Sequence, residues 1–249
     1  MSKLLTVLIL VITYSASAAE RKNIFADPQN LKILPENISP ADLRDTMKSF
    51  SMGLGLRCSN CHVGEEGKPL STFEFDKDDK KLKQKARVML KMVADINQKQ
   101  LSKLDQIEKR KGVEVQCVTC HRGQQKPELI QNVLAETYAE KGMEKMIEKY
   151  VSLRTEYYGS HSYDFSETVL PLFSGSFLNK ENQKLDAIAL LKKNLEYFPE
   201  SFFGTFSLAT AYHQAGEPEK AKTYYKKALT INPKAVFINA RLKQLLKSK

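Results

Sequence analysis

Two short motifs of one pattern hold all four cysteines of the chain, and each motif ends in a histidine. They read Cys-Ser-Asn-Cys-His at residues 58–62 and Cys-Val-Thr-Cys-His at residues 117–121. Two thiols three residues apart lie on one helical turn, so each can form a thioether with one of the two vinyl groups of a haem. The adjacent histidine can give a ring nitrogen to the iron. The pattern therefore predicts two covalently bound haem c groups. The attachment residues are Cys58, Cys61, Cys117 and Cys120, and the iron ligands on this side are His62 and His121.

Other uses of paired cysteines fit this arrangement less well. A zinc ribbon usually places its pairs about 15–20 residues apart, whereas more than fifty residues separate Cys61 from Cys117. A thioredoxin-like redox site needs one pair within a strand–helix pattern, which the sequence lacks. Two disulfides would suit an exported chain. They would not explain why a histidine follows both pairs in a chain with four histidines.

The ligand on the far side of each iron decides what the iron can do. Met or His closes it for electron transfer, and an open position admits gases or peroxide. Before the first motif, residues 39–42 (Ser-Pro-Ala-Asp) are typical of a helix start. Leu43, Met47 and Phe50 then share one helical face. Met47 is favoured as the ligand, with ordinary core packing as the alternative. Met52 is closer to the motif but leaves only five residues for the chain to turn.

A second candidate methionine precedes the second motif. Residues 78–99 have the periodicity of a long helix, and Met89 lies in the middle of its apolar stripe. That stripe consists of Leu82, Ala86, Met89, Val93 and Ile96. Met92 lies on the edge of the same stripe, and helix phase alone gives Met89 only a small advantage over it.

Three stretches together resemble the cytochrome c subunit of photosynthetic reaction centres. They are residues 47–55 with Met-Lys-Ser-Phe-Ser and Gly-Leu-Gly, residues 86–97 with Ala-Arg-Val-Met-Leu-Lys-Met and Ile-Asn, and residues 117–127 with Cys-Val-Thr-Cys-His-Arg-Gly and Pro. The resemblance covers roughly residues 40–127, about a third of the chain. In that family a helix with the distal ligand precedes each Cys-x-x-Cys-His motif. The resemblance thus implies Met47 for the first haem and Met89 rather than Met92 for the second.

The chain departs from that family in two respects. Reaction-centre subunits of this kind carry four haems in two such modules, whereas this chain has one two-haem module and a different C-terminal region. The resemblance therefore does not imply direct reduction of a photo-oxidised chlorophyll pair. An electron-transfer role does not depend on it, because that role rests on the haem motifs themselves.

The C-terminal region has the spacing of a tetratricopeptide repeat, a helical hairpin of 34 residues. The matching residues are Leu208, Ala209, Tyr212, Ala221, Tyr225, Ala228 and Pro233. A step of one repeat back from Ala221 and Pro233 gives Ala187 and Pro199, which predicts a second, degenerate repeat from Thr168. Residues 235–249 are expected to form a capping helix. Such repeats can serve as packing elements or bind a protein or peptide, and the sequence favours neither.

The first residues are typical of a secretory signal peptide. Lys3 precedes an apolar run at residues 4–14, and Ala16-Ser17-Ala18 has the small side chains of a cleavage site. The run is shorter than the roughly 20 residues of a membrane-spanning helix. We expect cleavage near Ala18, export to the periplasm and a basic mature protein, since loss of Lys3 lowers the formal charge only from +10 to +9.

These observations predict an all-α protein in which a dihaem cytochrome c module is followed by tetratricopeptide-like repeats. The expected divisions are a signal peptide at 1–18, the dihaem domain at 19–127, a helical connector at 128–167 and the repeats with their capping helix at 168–249. The expected function is electron transfer between redox partner proteins, including a membrane-bound complex, without catalysis and without nucleic acid. A peroxidase-like enzyme or haem sensor with one open iron is the alternative. A third hypothesis is an assembly factor that acts chiefly through its repeats and is also redox-active.

Overall fold

The computed structural model describes residues 23–108 and 112–247, and within them the protein is all-α, as predicted. The α-helices are α1 Pro40–Leu54, α2 Cys58–Cys61, α3 Lys81–Asp95, α4 Ser102–Glu108, α5 Cys117–His121, α6 Ile130–Tyr157, α7 Val169–Leu178, α8 Lys184–Tyr197, α9 Phe202–Gln214, α10 Pro218–Ile231 and α11 Phe237–Lys247. A π-helical segment, Ile96–Leu101, joins α3 to α4. None of the helices in the described residues combines the length and apolar character of a membrane span. The predicted leader at 1–18 lies outside the described residues.

Contacts divide the chain into two compact units. One contains residues up to 48 together with 57–114, and the other contains residues 49–56 together with 115 onwards. The first motif therefore belongs to the first unit and the second motif to the second unit. The predicted domain boundaries at 127/128 and 167/168 remain a prediction.

Helix α1 begins where the sequence predicted, because Ser39 caps it. The backbone N–H of Asp42 donates to Ser39 Oγ at 3.1 Å, and the hydroxyl donates to the Asp42 carboxylate at 2.7 Å. Leu43 is buried, and Met47 and Phe50 on the same face are half-buried. The predicted apolar face of this helix is thus formed.

Helix α3 begins at Lys81, three residues later than the predicted start at residue 78. The reason is that Asp78 is held outside the helix. Its carboxylate accepts hydrogen bonds from Asn30 and Lys32, which come from a distant loop. Asp78 therefore ties this loop down instead of starting the helix.

Helix α6, predicted only as a connector, shares a hydrophobic core with the first repeat-like helix pair. It bends at Gly142, which has a φ of 79°. Its residues Ile130, Leu134, Met146 and Tyr150 are essentially inaccessible to solvent. They belong to one cluster with buried side chains of α7 and α8, which are Val169, Leu170, Phe177, Ala187 and Leu190. Removal of the repeats from residue 168 onwards would therefore expose one face of α6.

A second cluster packs α8 and α9 against α10 and α11. Small side chains at Ala209, Ala221 and Ala228 are fully buried, which allows the helices to approach closely. The same cluster contains Tyr212 and Tyr225. Pro218 occupies the first turn of α10, where the missing N–H costs nothing. The tetratricopeptide-like arrangement predicted from residues 208–233 is confirmed. Helix α11 follows it, and the capping role expected of residues 235–249 remains a prediction.

The close contact of α8 with α9 depends on the glycine at 204. A Cβ atom there would lie 2.6 Å from Asn194 Nδ2 and 3.1 Å from Leu195 Cδ2. We predict that Gly204→Ala lowers the free energy of unfolding by about 1–3 kcal/mol through overpacking. The matched control is Gly175→Ala in α7, where a Cβ meets no atom within 4 Å. That substitution should raise the free energy by up to about 1 kcal/mol through helix propensity. Urea unfolding measures both, and equal stability of the two variants would contradict the packing account.

Candidate functional site

The first motif forms one short helical turn that its own residues cap. The backbone N–H of Arg57 donates to Asn60 Oδ1 at 2.9 Å, and the N–H of His62 donates to the carbonyl of Cys58 at 2.9 Å. Asn60 therefore stabilises the turn that brings Cys58 and Cys61 to one side. The identity of this residue, which the Cys-x-x-Cys-His pattern leaves open, thus has a structural role.

The second motif repeats this geometry with a different side chain. The N–H of Gln116 donates to Thr119 Oγ1 at 3.0 Å, so Thr119 does for α5 what Asn60 does for α2. The turn ends at Arg122, whose left-handed backbone has a φ of 49°. Both motifs therefore present two cysteines and a histidine from a preformed turn.

None of the four cysteines, all of which lie in the described residues, forms a disulfide. Burial, followed by the neighbouring Cys58, raises the pKa of Cys61. Burial also raises the pKa of Cys117, with a smaller contribution from Cys120 and an opposing one from a backbone hydrogen bond. Thioredoxin-like cysteines need the opposite shift, because their thiolate is the nucleophile. Both shifts favour the neutral thiol form of Cys61 and Cys117.

His62 is held by aromatic packing and has no hydrogen bond to its inner nitrogen. The Phe75 ring packs edge-on against the imidazole with 4.9 Å between ring centroids. Nδ1 is buried, and it has no partner among the described residues. Burial first, and then the charges of Lys83 and Arg87, lower the pKa of His62 to about 4. The imidazole is therefore neutral at physiological pH, the form that binds a metal.

A polar cluster fixes the loop that carries Phe75. Lys83 Nζ is almost buried and donates to the carbonyls of Phe75 at 2.7 Å and Lys77 at 2.6 Å. It also pairs with Asp78 at 3.1 Å, and Arg87 pairs with the same carboxylate at 2.8 Å. Hydrogen bonds from Arg87, then from Lys32 and Lys83, hold the pKa of Asp78 well below its usual range. Asp78 is therefore charged at all physiological pH values.

His121 is buried, and its orientation is fixed by a hydrogen bond. Nδ1 lies 2.8 Å from the carbonyl oxygen of Gln124. A carbonyl only accepts, so Nδ1 carries a proton, and Nε2 is the ring nitrogen that could bind a metal. The Gln124 side chain donates to the carbonyl of Ser162 at 3.0 Å, and Ser162 Oγ donates to the carbonyl of Arg122 at 2.7 Å. The loop after α6 thus supports the second motif.

Two glycines let the end of α1 lie against the second motif. The N–H of Gly123 donates to the carbonyl of Gly53 at 2.9 Å. A Cβ atom at Gly55, whose φ is +64°, would lie 2.1 Å from the carbonyl oxygen of Gly123. The Gly-Leu-Gly sequence at residues 53–55 therefore permits backbone contact within this unit.

The structure places the methionine candidates on the predicted helices without testing which of them binds iron. Met47 on α1 and Met89 on α3 are half-buried, whereas Met92 is 43% exposed and Met52 is 72% exposed. The difference in burial agrees with the preference for Met47 and Met89. Both assignments remain predictions. His161, in the loop after α6, is exposed and has a positive φ of 63°.

The residues present fit haem better than a bare metal ion. Within the described residues, no group of three or more His, Cys, Asp or Glu side chains is arranged to hold a metal. Each motif instead offers two cysteines outside any disulfide and one histidine whose ring is held by its surroundings. Among the described residues from 23 to 128, Leu43 is the one buried apolar side chain. The apolar faces of α1 and α3 can therefore contact a large apolar group such as a porphyrin.

Several site residues were missed by sequence reasoning. Phe75 packs on the first motif, and Lys83, which pairs with Asp78, binds the Phe75 carbonyl. Gln124 and Ser162 support the second motif. The sequence contains one indication of Lys83, which directly follows Leu82 of the apolar stripe and therefore adjoins the side of the helix expected to be buried. The contact of Ser162 with residues 122 and 124 has no sequence signal.

We predict that Gly55→Ala disturbs the second motif. The new methyl group would displace the Gly123 carbonyl and also strain the backbone, at about 1–2 kcal/mol for the strain alone. The control is Gly67→Ala, where φ is +86° but a Cβ meets nothing within 4 Å. Gly55→Ala should melt at a lower temperature than Gly67→Ala and carry less haem on the peptide containing Cys117. Equal melting temperatures and equal haem loading would contradict the contact.

The comparisons with known proteins agree with this geometry. Residues 13–187 match the family described as photosynthetic reaction centre cytochrome C subunit. Residues 206–235 match the tetratricopeptide repeat. No curated protein matches the chain. The first match covers more than two thirds of the chain and includes both Cys-x-x-Cys-His turns, so this protein belongs to the photosynthetic reaction centre cytochrome C subunit family and carries a tetratricopeptide repeat after the cytochrome region.

Proposed function

We propose that this c-type cytochrome is an exported dihaem electron carrier that passes single electrons between partner proteins in the periplasm. The observation that carries the proposal is that both Cys-x-x-Cys-His turns are preformed, each with two cysteines outside any disulfide and a histidine whose ring is held in place. A haem bound there supplies a one-electron ferric/ferrous couple.

The residues of the chain provide attachment, orientation and insulation. Thioether bonds from each cysteine pair would fix the position of the group, and His62 and His121 would ligate the iron. Phe75 restricts rotation of the His62 ring, and the carbonyl of Gln124 restricts that of His121. Ligands that are held in place change little between the two oxidation states, which favours rapid electron transfer over substrate chemistry.

We assign Met47 and Met89 as the distal ligands. A thioether sulfur is neutral and a weak donor, so it stabilises ferrous iron and raises the reduction potential. With a methionine as well as a histidine bound to each iron, neither iron would have an open position for peroxide or a gas. The assignment therefore separates a carrier from the peroxidase-like or sensor alternative.

The repeat region and the basic charge support docking to other proteins. Tetratricopeptide repeats commonly present an extended surface to a partner, and a formal charge of +10 for the whole chain favours partners with acidic surfaces. We propose redox proteins, including a membrane-bound complex, as these partners.

Substitution of the methionines tests the assignment. In the holoprotein both haems should be six-coordinate and low-spin and should not bind carbon monoxide. Met47→Ala and Met89→Ala should each lower one reduction potential and create one high-spin, carbon monoxide-binding haem. Visible absorption spectra and redox titration measure both effects.

Met52→Ala and Met92→Ala are the matched controls, because both side chains are exposed. They should leave the spectra and both potentials unchanged. If the unsubstituted protein binds carbon monoxide or turns over peroxide, one iron is open and the enzyme or sensor reading is correct. If Met92→Ala has the effect expected of Met89→Ala, the ligand of the second haem is Met92.

A further inference from the structure

A cleft of about 400 Å³ opens beside the second motif, and all of its lining residues belong to the second unit. Its apolar and aromatic side chains are Leu54, Leu56, Val133, Tyr157 and Tyr163. Its polar side chains follow the motif in sequence, and they are Gln124, Gln125, Lys126 and Glu128. A cleft of this volume, with apolar walls and a few polar groups, is typical of a site for a small organic molecule.

The cleft is separate from the groups that the second motif offers to a haem. Among the described residues that line it, none is a cysteine or a histidine. His121 Nδ1 faces the backbone carbonyl of Gln124 at 2.8 Å. The two nitrogens of an imidazole point in divergent directions, so Nε2 of His121 points away from Gln124. The proposed electron transfer therefore makes no use of this cleft.

The side chain of Gln124 leaves one acceptor atom unused at the cleft. The residue is only 7% exposed. Its Nε2 donates to the carbonyl of Ser162 at 3.0 Å, which fixes the orientation of the amide. The other amide atom, Oε1, is buried and has no hydrogen-bond partner among the described residues. Buried amide oxygens normally accept a hydrogen bond, so this atom indicates a donor that comes from outside the described residues.

Carboxylates dominate the charge at the cleft. Glu128 is mostly buried, with 15% of its side chain exposed, and pairs at 3.0 Å with Lys126, which is 73% exposed. The hydrogen bond and charge of Glu128, and then the charge of Glu136, raise the pKa of Lys126. A hydrogen bond to Glu156 raises the pKa of Tyr157. Carboxylates thus outnumber cations among these groups, although the whole chain has a formal charge of +10. A local excess of negative charge favours a cationic ligand.

The aromatic wall of the cleft suits the same class of ligand. Tyr157 and Tyr163 pack edge to face, with 5.4 Å between their ring centroids. Aromatic faces attract cations, and a carboxylate next to them adds a charge-assisted hydrogen bond. The apolar side chains of the cleft can in turn cover the hydrocarbon part of such a ligand.

We propose that this cleft binds a small protonated organic amine with an apolar or aromatic body. The N–H groups of the amine satisfy two acceptors, the Glu128 carboxylate and the Gln124 amide oxygen. Its body lies against the tyrosine rings and the apolar wall. Lys126 pairs with the same carboxylate, so the ligand competes with the Lys126 ammonium group. This site goes beyond the electron-transfer function and does not depend on it.

Isothermal titration calorimetry of the purified full-length protein tests the proposal with two matched probes. Phenethylamine is protonated at neutral pH, and phenylethanol has a hydroxyl in place of the ammonium group. Phenethylamine should bind at one site, about tenfold more tightly than phenylethanol, because the charge strengthens the hydrogen bond to Glu128. Equal affinities of the two probes, or no binding of phenethylamine, would overturn the proposal.

Substitutions in the Lys126–Glu128 pair should have opposite effects on phenethylamine binding. Glu128→Gln removes the carboxylate charge and should weaken binding about tenfold. Lys126→Met removes the competing cation and should tighten binding by up to about fivefold. A pair that serves only folding would not give opposite signs. Glu148→Gln, taken from the exposed Lys145–Glu148 pair on α6, is the control and should leave the affinity unchanged.

Melting temperatures of the variants show whether a lost affinity comes from unfolding. If Glu128→Gln melts like the unsubstituted protein and still binds phenethylamine with full affinity, the amine binds elsewhere and the proposal is wrong. The same conclusion follows if Lys126→Met weakens binding. Haem content and reduction potentials do not enter these measurements, so failure of this proposal leaves the proposed carrier function intact.

Discussion

Covalent attachment and ligation of a haem require two cysteine thiols and a histidine within about one helical turn. Much of the local structure follows from this constraint. Each turn is too short to be stable alone, so Asn60 and Thr119 cap the turns through the N–H groups of the preceding residues. Each turn is then followed by a segment that holds its histidine. In the first site Phe75 packs on His62, and Lys83 binds the Phe75 carbonyl. In the second site His121 donates to the backbone carbonyl of Gln124. The motif is thus shared, and its surroundings give each site its own chemistry.

The cytochrome and repeat regions are stabilised in different ways. Helices α6 to α11 bury two clusters of Leu, Ile, Ala, Phe and Tyr side chains and need no cofactor to form a core. In contrast, the segments around the motifs depend on polar contacts such as those of Lys83 and Asp78. Their half-buried apolar residues, Met47 and Met89 among them, suit contact with a porphyrin. We therefore expect bound haem to contribute directly to the stability of this region, since a ligand that binds only the folded state stabilises it.

Much of the architecture could be predicted from the sequence because it depends on local patterns. The cap at Ser39, the face with Leu43 and Met47, and the repeat residues from Leu208 to Pro233 are all read from spacing. Long-range contacts could not be predicted in this way. Asp78 has the residue type of a helix start but binds groups from a distant loop, which moved the start of α3 to Lys81. The core shared by α6 and the first repeat-like pair could not be predicted for the same reason. Periodicity shows that a helix has an apolar face but not which helix packs against it.

Intact-mass spectrometry of the denatured, purified protein tests the central claim most directly. Under denaturing conditions only covalently attached groups remain with the chain. The account predicts one species that carries two haems and has no free thiol. A chain without haem, or with one haem and two free thiols, would contradict the assignment of both Cys-x-x-Cys-His turns as attachment sites.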